Sequence, residues 1–99
     1  MPDVLILGGT GEARALAAAL VRAGGRRVVS SLAGRVSAPA LPDGEVRQGG
    51  FGGPGGLAEW LRRERMGCVV DATHPFAERI SAAALAATAA AGVPLLVLR

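Results

Sequence analysis

Apolar residues in this chain fall into short unbroken runs separated by stretches of helical periodicity. Asp3 to Leu7 reads as strand one, a continuous apolar run once past Asp3. Such a run suits a strand buried on both faces of a parallel sheet. Leu16, Ala19, Leu20 and Ala23 then recur at helical spacing. They predict a helix from about Gly11 to Ala23 with those four on its inner face. Gly24-Gly25 closes it, as glycine does at helix C-termini. Arg26 to Leu32 reads as a second strand. Ala33 to Gly44 reads as a loop, marked by Gly34, Pro39, Pro42 and the Asp43-Gly44 turn signal. Glu45 to Gln48 alternates in polarity and predicts a short third strand.

The second half repeats this grammar. A helix is predicted from about Pro54 to Arg65, with Leu57, Trp60 and Leu61 buried and Glu59, Arg62, Arg63 and Glu64 solvated. Cys68 to Ala72 predicts a fourth strand. Pro75 suits the first turn of a third helix, which continues to about Ala91 and is dense enough in Ala to approach a sheet closely. Gly92 ends it, and Val93 to Leu98 predicts strand five. Strands alternating with helices, with one loop crossover, call for an α/β fold. The expected architecture is a Rossmann-like, doubly wound, parallel five-stranded sheet in the order 3-2-1-4-5.

Composition narrows the picture. A chain of 99 residues is enough for one small domain with one core. With 51% hydrophobic but only 3% aromatic residues, its core is built from Ala, Val and Leu. All the basic residues are Arg, which explains a pI near 11.0 at a net charge of only +3. That balance favours an anionic ligand. The arginines are scattered and lack an RNA-binding aromatic motif, so nucleic acid is not an expected partner. Cys68 stands alone, so no intrachain disulfide forms, which suits a reducing cytoplasm. No apolar run is long enough to span a membrane, and no signal peptide is evident. A cytoplasmic protein is the expectation.

The chemistry begins where strand one meets helix one, at Gly8-Gly9-Thr10-Gly11-Glu12. A strand, a glycine turn and a helix in immediate succession aim the helix's free N–H groups, and the positive end of its dipole, at the space above the turn. A phosphate is the natural occupant. The dinucleotide pattern G-x-G-x-x-G aligns as Gly9, Gly11 and Arg14, so its third glycine is missing; a looser alignment uses Gly8, Gly11 and Ala13. A glycine turn needed only for packing is the competing reading. A P-loop is excluded, because the chain has no Lys.

The end of strand two bears on cofactor type. NAD sites usually place a carboxylate there. This chain offers Ser30, Ser31 and then Arg35, with no acid before Asp43. Hydroxyls with an Arg suit a 2′-phosphate, hence NADPH; a solvated Arg35 is the alternative. Gly49 to Gly56 leaves strand three at the same sheet edge, where Gly50 and Phe51 are placed to line an adenine or ribose pocket, or only to connect. Asp71-Ala72-Thr73-His74-Pro75-Phe76 leaves strand four there too. His74, the single histidine, is placed to orient a ligand or donate a proton. Thr73 and Asp71 equally suit satisfying backbone N–H groups. His74 has no Cys or carboxylate at ligand spacing, so no metal site is expected. The absence of Tyr and Lys removes the short-chain dehydrogenase acid pair and the Lys of phosphoacceptor receivers. No serine sits in a nucleophile elbow.

Four strings occur together and in order: Leu7-Gly8-Gly9-Thr10-Gly11-Glu12-Ala13, Ser31-Leu32-Ala33-Gly34-Arg35, Gly49-Gly50-Phe51-Gly52 and Val70-Asp71-Ala72-Thr73-His74-Pro75-Phe76-Ala77. In these the chain resembles the precorrin-6A reductase and cobalt-precorrin-6A reductase family of cobalamin (vitamin B12) biosynthesis. The resemblance implies NADPH-dependent reduction of a C=C bond in a tetrapyrrole-derived macrocycle. It implies cofactor contacts at Gly8, Gly9, Thr10, Gly11, Glu12, Ser31, Arg35, Gly50, Phe51 and Thr73. It makes His74 and Asp71 the candidate catalytic residues, and His74, Pro75 and Phe76 the substrate contacts. It further implies a protein roughly twice this length, whose second α/β half closes over the substrate. Residues 1–99 then correspond to the NADPH-binding half, and an uncovered strand-five edge makes a homodimer an expectation. A non-catalytic NADP-binding or sensing domain, and an α/β interaction module without ligand, are the competing functions.

Overall fold

A computed structural model describes residues 2–34 and 41–98 of the chain. Five parallel strands, β1 (Val4–Leu7), β2 (Val28–Leu32), β3 (Glu45–Gln48), β4 (Cys68–Asp71) and β5 (Leu95–Val97), lie in the order β3-β2-β1-β4-β5. Three helices connect them: α1 (Gly11–Ala23), α2 (Gly53–Arg63) and α3 (Glu78–Ala91). The doubly wound order expected from the alternation of elements is the order found.

Strand alternation divides the core into two layers. Leu5, Leu7, Val29 and Val69 face α2 and α3, packing on Leu57, Ala58 and Leu61 of α2 and Ala84 and Ala87 of α3. Val4, Ile6, Val28 and Val70 face α1 alone, packing on Ala13 and Ala17. The inner face of α1 therefore lies a turn earlier than its periodicity predicts. Leu16 and Leu20 are half-buried against it, while Ala19 and Ala23 are exposed. Small Ala13 and Ala17 let the helix backbone approach the sheet, and the wider leucines splay to its sides.

Several boundaries shift for local reasons. β1 begins after Asp3, whose carboxylate accepts the Arg27 N–H at 2.9 Å and whose carbonyl accepts from Gly67 and Cys68. Arg27 lies outside β2: its N–H goes to the Asp3 carboxylate, and its guanidinium is held by Glu45 at 2.6 Å and Glu64 at 3.0 Å. Glu64 is thus half-buried and paired rather than solvated, and Arg62 donates to the Ala90 carbonyl at 2.9 Å, tying α2 to α3. α2 ends in a Schellman arrangement: Met66 N–H donates to Leu61 C=O and Arg65 N–H to Arg62 C=O, with Arg65 left-handed at φ 55°. α3 starts at Glu78 and not near Pro75. Residues 74–77 close a turn instead, in which Ala77 N–H donates to the His74 carbonyl at 2.9 Å. β5 is a sheet edge, with Leu96 60% and Val97 56% exposed.

Candidate active site

The C-terminal ends of β1, β2, β3 and β4 meet at one edge, where open parallel sheets bind ligands. Backbone bonds continue the pairing past the strands. Gly8 N–H donates to Ser31 C=O at 3.0 Å, Gly49 N–H to Leu32 C=O at 2.9 Å and Ala72 N–H to Leu7 C=O at 3.0 Å. The four exit loops therefore stand side by side.

The glycine turn is tied to its neighbours by Thr10. Its side-chain oxygen accepts the Ala13 N–H at 3.1 Å, capping α1, and its hydroxyl donates to the Ala72 carbonyl at 2.7 Å. Gly9 has φ 105°, a conformation that favours glycine, and a Cβ there would meet nothing within 4 Å. The space above the turn is open, and α1 points its N-terminus beside it.

That space is part of a cleft of about 210 Å³. Gly8 and Gly9 floor it, Ser31, Gly50 and Phe51 form one wall, and Thr73, His74 and Ile80 form the other. Most of the residues singled out from the sequence for the cofactor thus border one cavity. Thr10 and Glu12 border a neighbouring cavity of about 230 Å³ together with Thr73, His74 and Pro75. Thr73 and His74 belong to both. Gly11 is exposed at the start of α1. Phe76 lines neither; it is 84% exposed, its ring 5.1 Å from that of His74. Arg35 lies outside the described residues.

Asp71 is placed beneath the cleft and not on its surface. It is 1% exposed. Oδ1 accepts both the N–H of Thr73, at 3.1 Å, and its hydroxyl, at 2.5 Å, while Oδ2 accepts the Ser81 hydroxyl at 2.6 Å. Asp71 thus fastens the β4 exit to α3. His74, in the turn so fixed, is exposed, and its Nδ1 accepts the Phe76 N–H at 3.3 Å. In the neutral imidazole the proton then sits on Nε2.

One residue of the site escaped sequence reading. Arg47 stands opposite Ser31 in the β2–β3 register. Its Nη1 donates to Ser31 Oγ at 3.1 Å and to Gly49 C=O at 3.1 Å, and its Nη2 to Gly50 C=O at 3.2 Å. The guanidinium carbon lies 3.7 Å from the centroid of the Phe51 ring, which meets Trp60 edge-on at 5.4 Å. Burial pulls Arg47 below the usual Arg range; a guanidinium still remains charged at neutral pH. The signal available was a cation two residues before a glycine run, in a strand short enough to leave its end at the cleft.

Among the described residues no cluster of three or more His, Cys, Asp or Glu is placed to hold a metal ion, and no helix is long and apolar enough to cross a membrane.

Residues 3–99 match the family model described as precorrin-6x reductase CbiJ/CobK. The chain belongs to the precorrin-6x reductase family. It is 60% identical over 99 residues to a precorrin-6A reductase of Rhodococcus erythropolis, covering all of this chain and 40% of that protein. It is 58% identical over 98 residues to the precorrin-6A reductase of Mycobacterium tuberculosis, covering 99% of this chain and 39% of the relative. A cobalt-precorrin-6A reductase of Salmonella typhimurium is 40% identical over 95 residues, with 94% and 35% covered. The solved structure of CobK precorrin-6A reductase superposes with a TM-score of 0.92 at 47% identity, covering 100% of this chain and 39% of that one. The chain therefore spans about 40% of the length of the curated relatives it matches.

Proposed function

We propose that this chain is the NADPH-binding half of a precorrin-6A reductase of cobalamin biosynthesis, working in the cytoplasm. The observation that carries the reading is the joint lining of one cleft by the Gly8–Gly9 turn, Ser31, Phe51 and the Thr73–His74 turn. A nicotinamide cofactor fits this edge on two structural grounds. The turn leaves open space that any residue but glycine would be strained to frame, and α1 supplies unpaired N–H groups and a positive dipole end for a pyrophosphate. Gly8 to Glu12 hold the phosphates, Ser31, Gly50 and Phe51 the adenosine side, and Thr73 the nicotinamide side; Arg35 joins the 2′-phosphate in this reading.

The reaction is reduction of one C=C bond of the macrocycle: hydride from NADPH forms one C–H bond, a proton forms the other, and NADP⁺ leaves. The chain's own groups position and screen. His74 stands between the two cavities with Nε2–H free to donate to a substrate group or to pass a proton at the mouth. Asp71 works at one remove, by holding the turn that presents His74. Pro75 and Phe76 offer apolar surface to the flat substrate, and the net charge of +3 suits its carboxylates.

A titration of NADPH and NADH against the protein, followed by Trp60 fluorescence, tests the cofactor step. Tighter binding of NADPH is expected, and binding of neither nucleotide would sink the reading. Loss of NADPH absorbance on adding precorrin-6A then tests the reduction, with the full-length protein of a relative as positive control.

A further inference from the structure

The same sheet edge has a second side. The alternation that turns Ser31 toward the large cleft turns Ser30 toward α1. Ser30 is 2% exposed, and its Oγ has no hydrogen-bond partner among the described residues. Buried hydroxyls left so are rare, and each asks for an explanation. This one lines a cavity of about 40 Å³, walled by Gly8, Gly9, Arg14, Leu32 and Pro42. About 10–15 Å³ accommodates one water-sized sphere, so the cavity takes a small polyatomic group.

Arg14 points to the charge of that group. It lies in the first turn of α1, and a Cβ added to Gly11 would be 3.8 Å from its Nη2, so the guanidinium reaches back over the helix start. All 8 acidic residues lie among the described residues, and none of them, Glu12 included, pairs with Arg14. A cation folded over the positive end of a helix is repelled by it unless an anion lies between them. A buried hydroxyl and a guanidinium on one small cavity suit a small anion with several acceptor oxygens, which is a phosphate. Gly8 and Gly9 border both this cavity and the large cleft, so a phosphate here branches from a nucleotide lying across the turn.

We propose that Arg14 and Ser30 bind the 2′-phosphate of NADPH and set the preference for NADPH over NADH. The assignment rests on the nucleotide reading above and sharpens it. Ser31, whose hydroxyl already accepts from Arg47, then serves the adenosine wall and not the phosphate.

Calorimetric titration with adenosine 2′,5′-bisphosphate and with ADP separates the two levels. The unsubstituted protein should bind the bisphosphate at least about tenfold more tightly than ADP, as a charge-assisted phosphate contact implies. Arg14→Ala and Ser30→Ala should each bring the bisphosphate toward the ADP affinity, weakening the bisphosphate far more than ADP. Ser30→Ala should melt no lower than the parent without ligand, because it removes an unpaired hydroxyl. A preference surviving in both variants, or lost only in Arg35→Ala, overturns the assignment while the nucleotide reading stands. Failure of both compounds to bind the unsubstituted protein overturns that reading itself.

Discussion

The Arg47 guanidinium packs on the Phe51 ring, 3.7 Å from its centroid, while its nitrogens hold Ser31 Oγ and the carbonyls of Gly49 and Gly50. One side chain thereby ties β2 to the glycine-rich connection after β3, beside the Gly49–Leu32 bond and the Phe51–Trp60 contact. Arg47→Ala should cost about 1–2 kcal/mol of stability, from charged hydrogen bonds and a cation–π contact at a partly exposed position. It should also weaken NADPH binding, because Phe51 and Gly50 wall the cleft. Arg47→Lys should recover little, since an ammonium cannot bridge three acceptors while stacked on a ring. Chemical denaturation and nucleotide titration, both read by Trp60 emission, check this; an Arg47→Ala protein with unchanged emission and affinity would refute it.

The fold was legible because β1 is an unbroken apolar run and glycine follows both α1 and α3. Leu5 and Leu7 could be placed inside from that alone. Arg47 was not legible, because its meaning depends on the Ser31–Arg47 register, a contact between residues sixteen apart in the sequence. The start of α3 at Glu78 is hidden for a different reason. Pro75 fits a helix's first turn, yet the His74 carbonyl takes the Ala77 N–H and closes a separate turn first. Asp71 is a candidate catalytic residue by resemblance, but whether it faces the cleft or the interior turns on Ser81, ten residues away on α3.

Thr10 joins two exit loops through one hydroxyl, and substitution can keep or remove that link. Thr10→Ser keeps the cap on α1 and the bond to Ala72. Thr10→Val removes both at nearly constant shape, and loss of a helix cap alone costs about 1 kcal/mol. Thermal melts should rank Thr10→Ser near the parent and Thr10→Val several degrees below it. NADPH affinity should follow the same order, because the glycine turn is held against β4 by the Ala72 bond.

The ion pairs of Arg27 give a defined pH dependence. Its guanidinium holds the Glu45 carboxyl below the usual carboxylate range. A depressed folded value stabilises the protein above the unfolded pKa, about 4.3 for Glu, and that stability is lost as pH falls through the folded value. The pair is half-exposed, so its contribution stays within about 1 kcal/mol and shrinks in salt. Glu45→Gln should therefore lower the melting temperature slightly at pH 7 and leave it unchanged near pH 2. Equal losses at both pH values would show that packing, not charge, is what Glu45 supplies.

Asp71 offers the sharpest separation of positioning from proton transfer. Its oxygens accept from Thr73 and Ser81, and His74 lies in the turn so fixed. Asp71→Asn keeps the shape but turns one acceptor into a donor facing a hydroxyl, at a cost of about 1–3 kcal/mol. If the carboxylate acts through the turn, Ser81→Ala and Asp71→Asn should lower turnover in the same sense and leave the pH profile of the reaction in place. His74→Ala should leave NADPH binding intact and remove from that profile any limb that the imidazole supplies. A carboxylate that itself exchanges the proton would behave differently: Asp71→Asn would then change the pH profile and Ser81→Ala would not. Steady-state reduction of precorrin-6A across pH, measured on the three variants placed in a full-length relative, distinguishes the two roles.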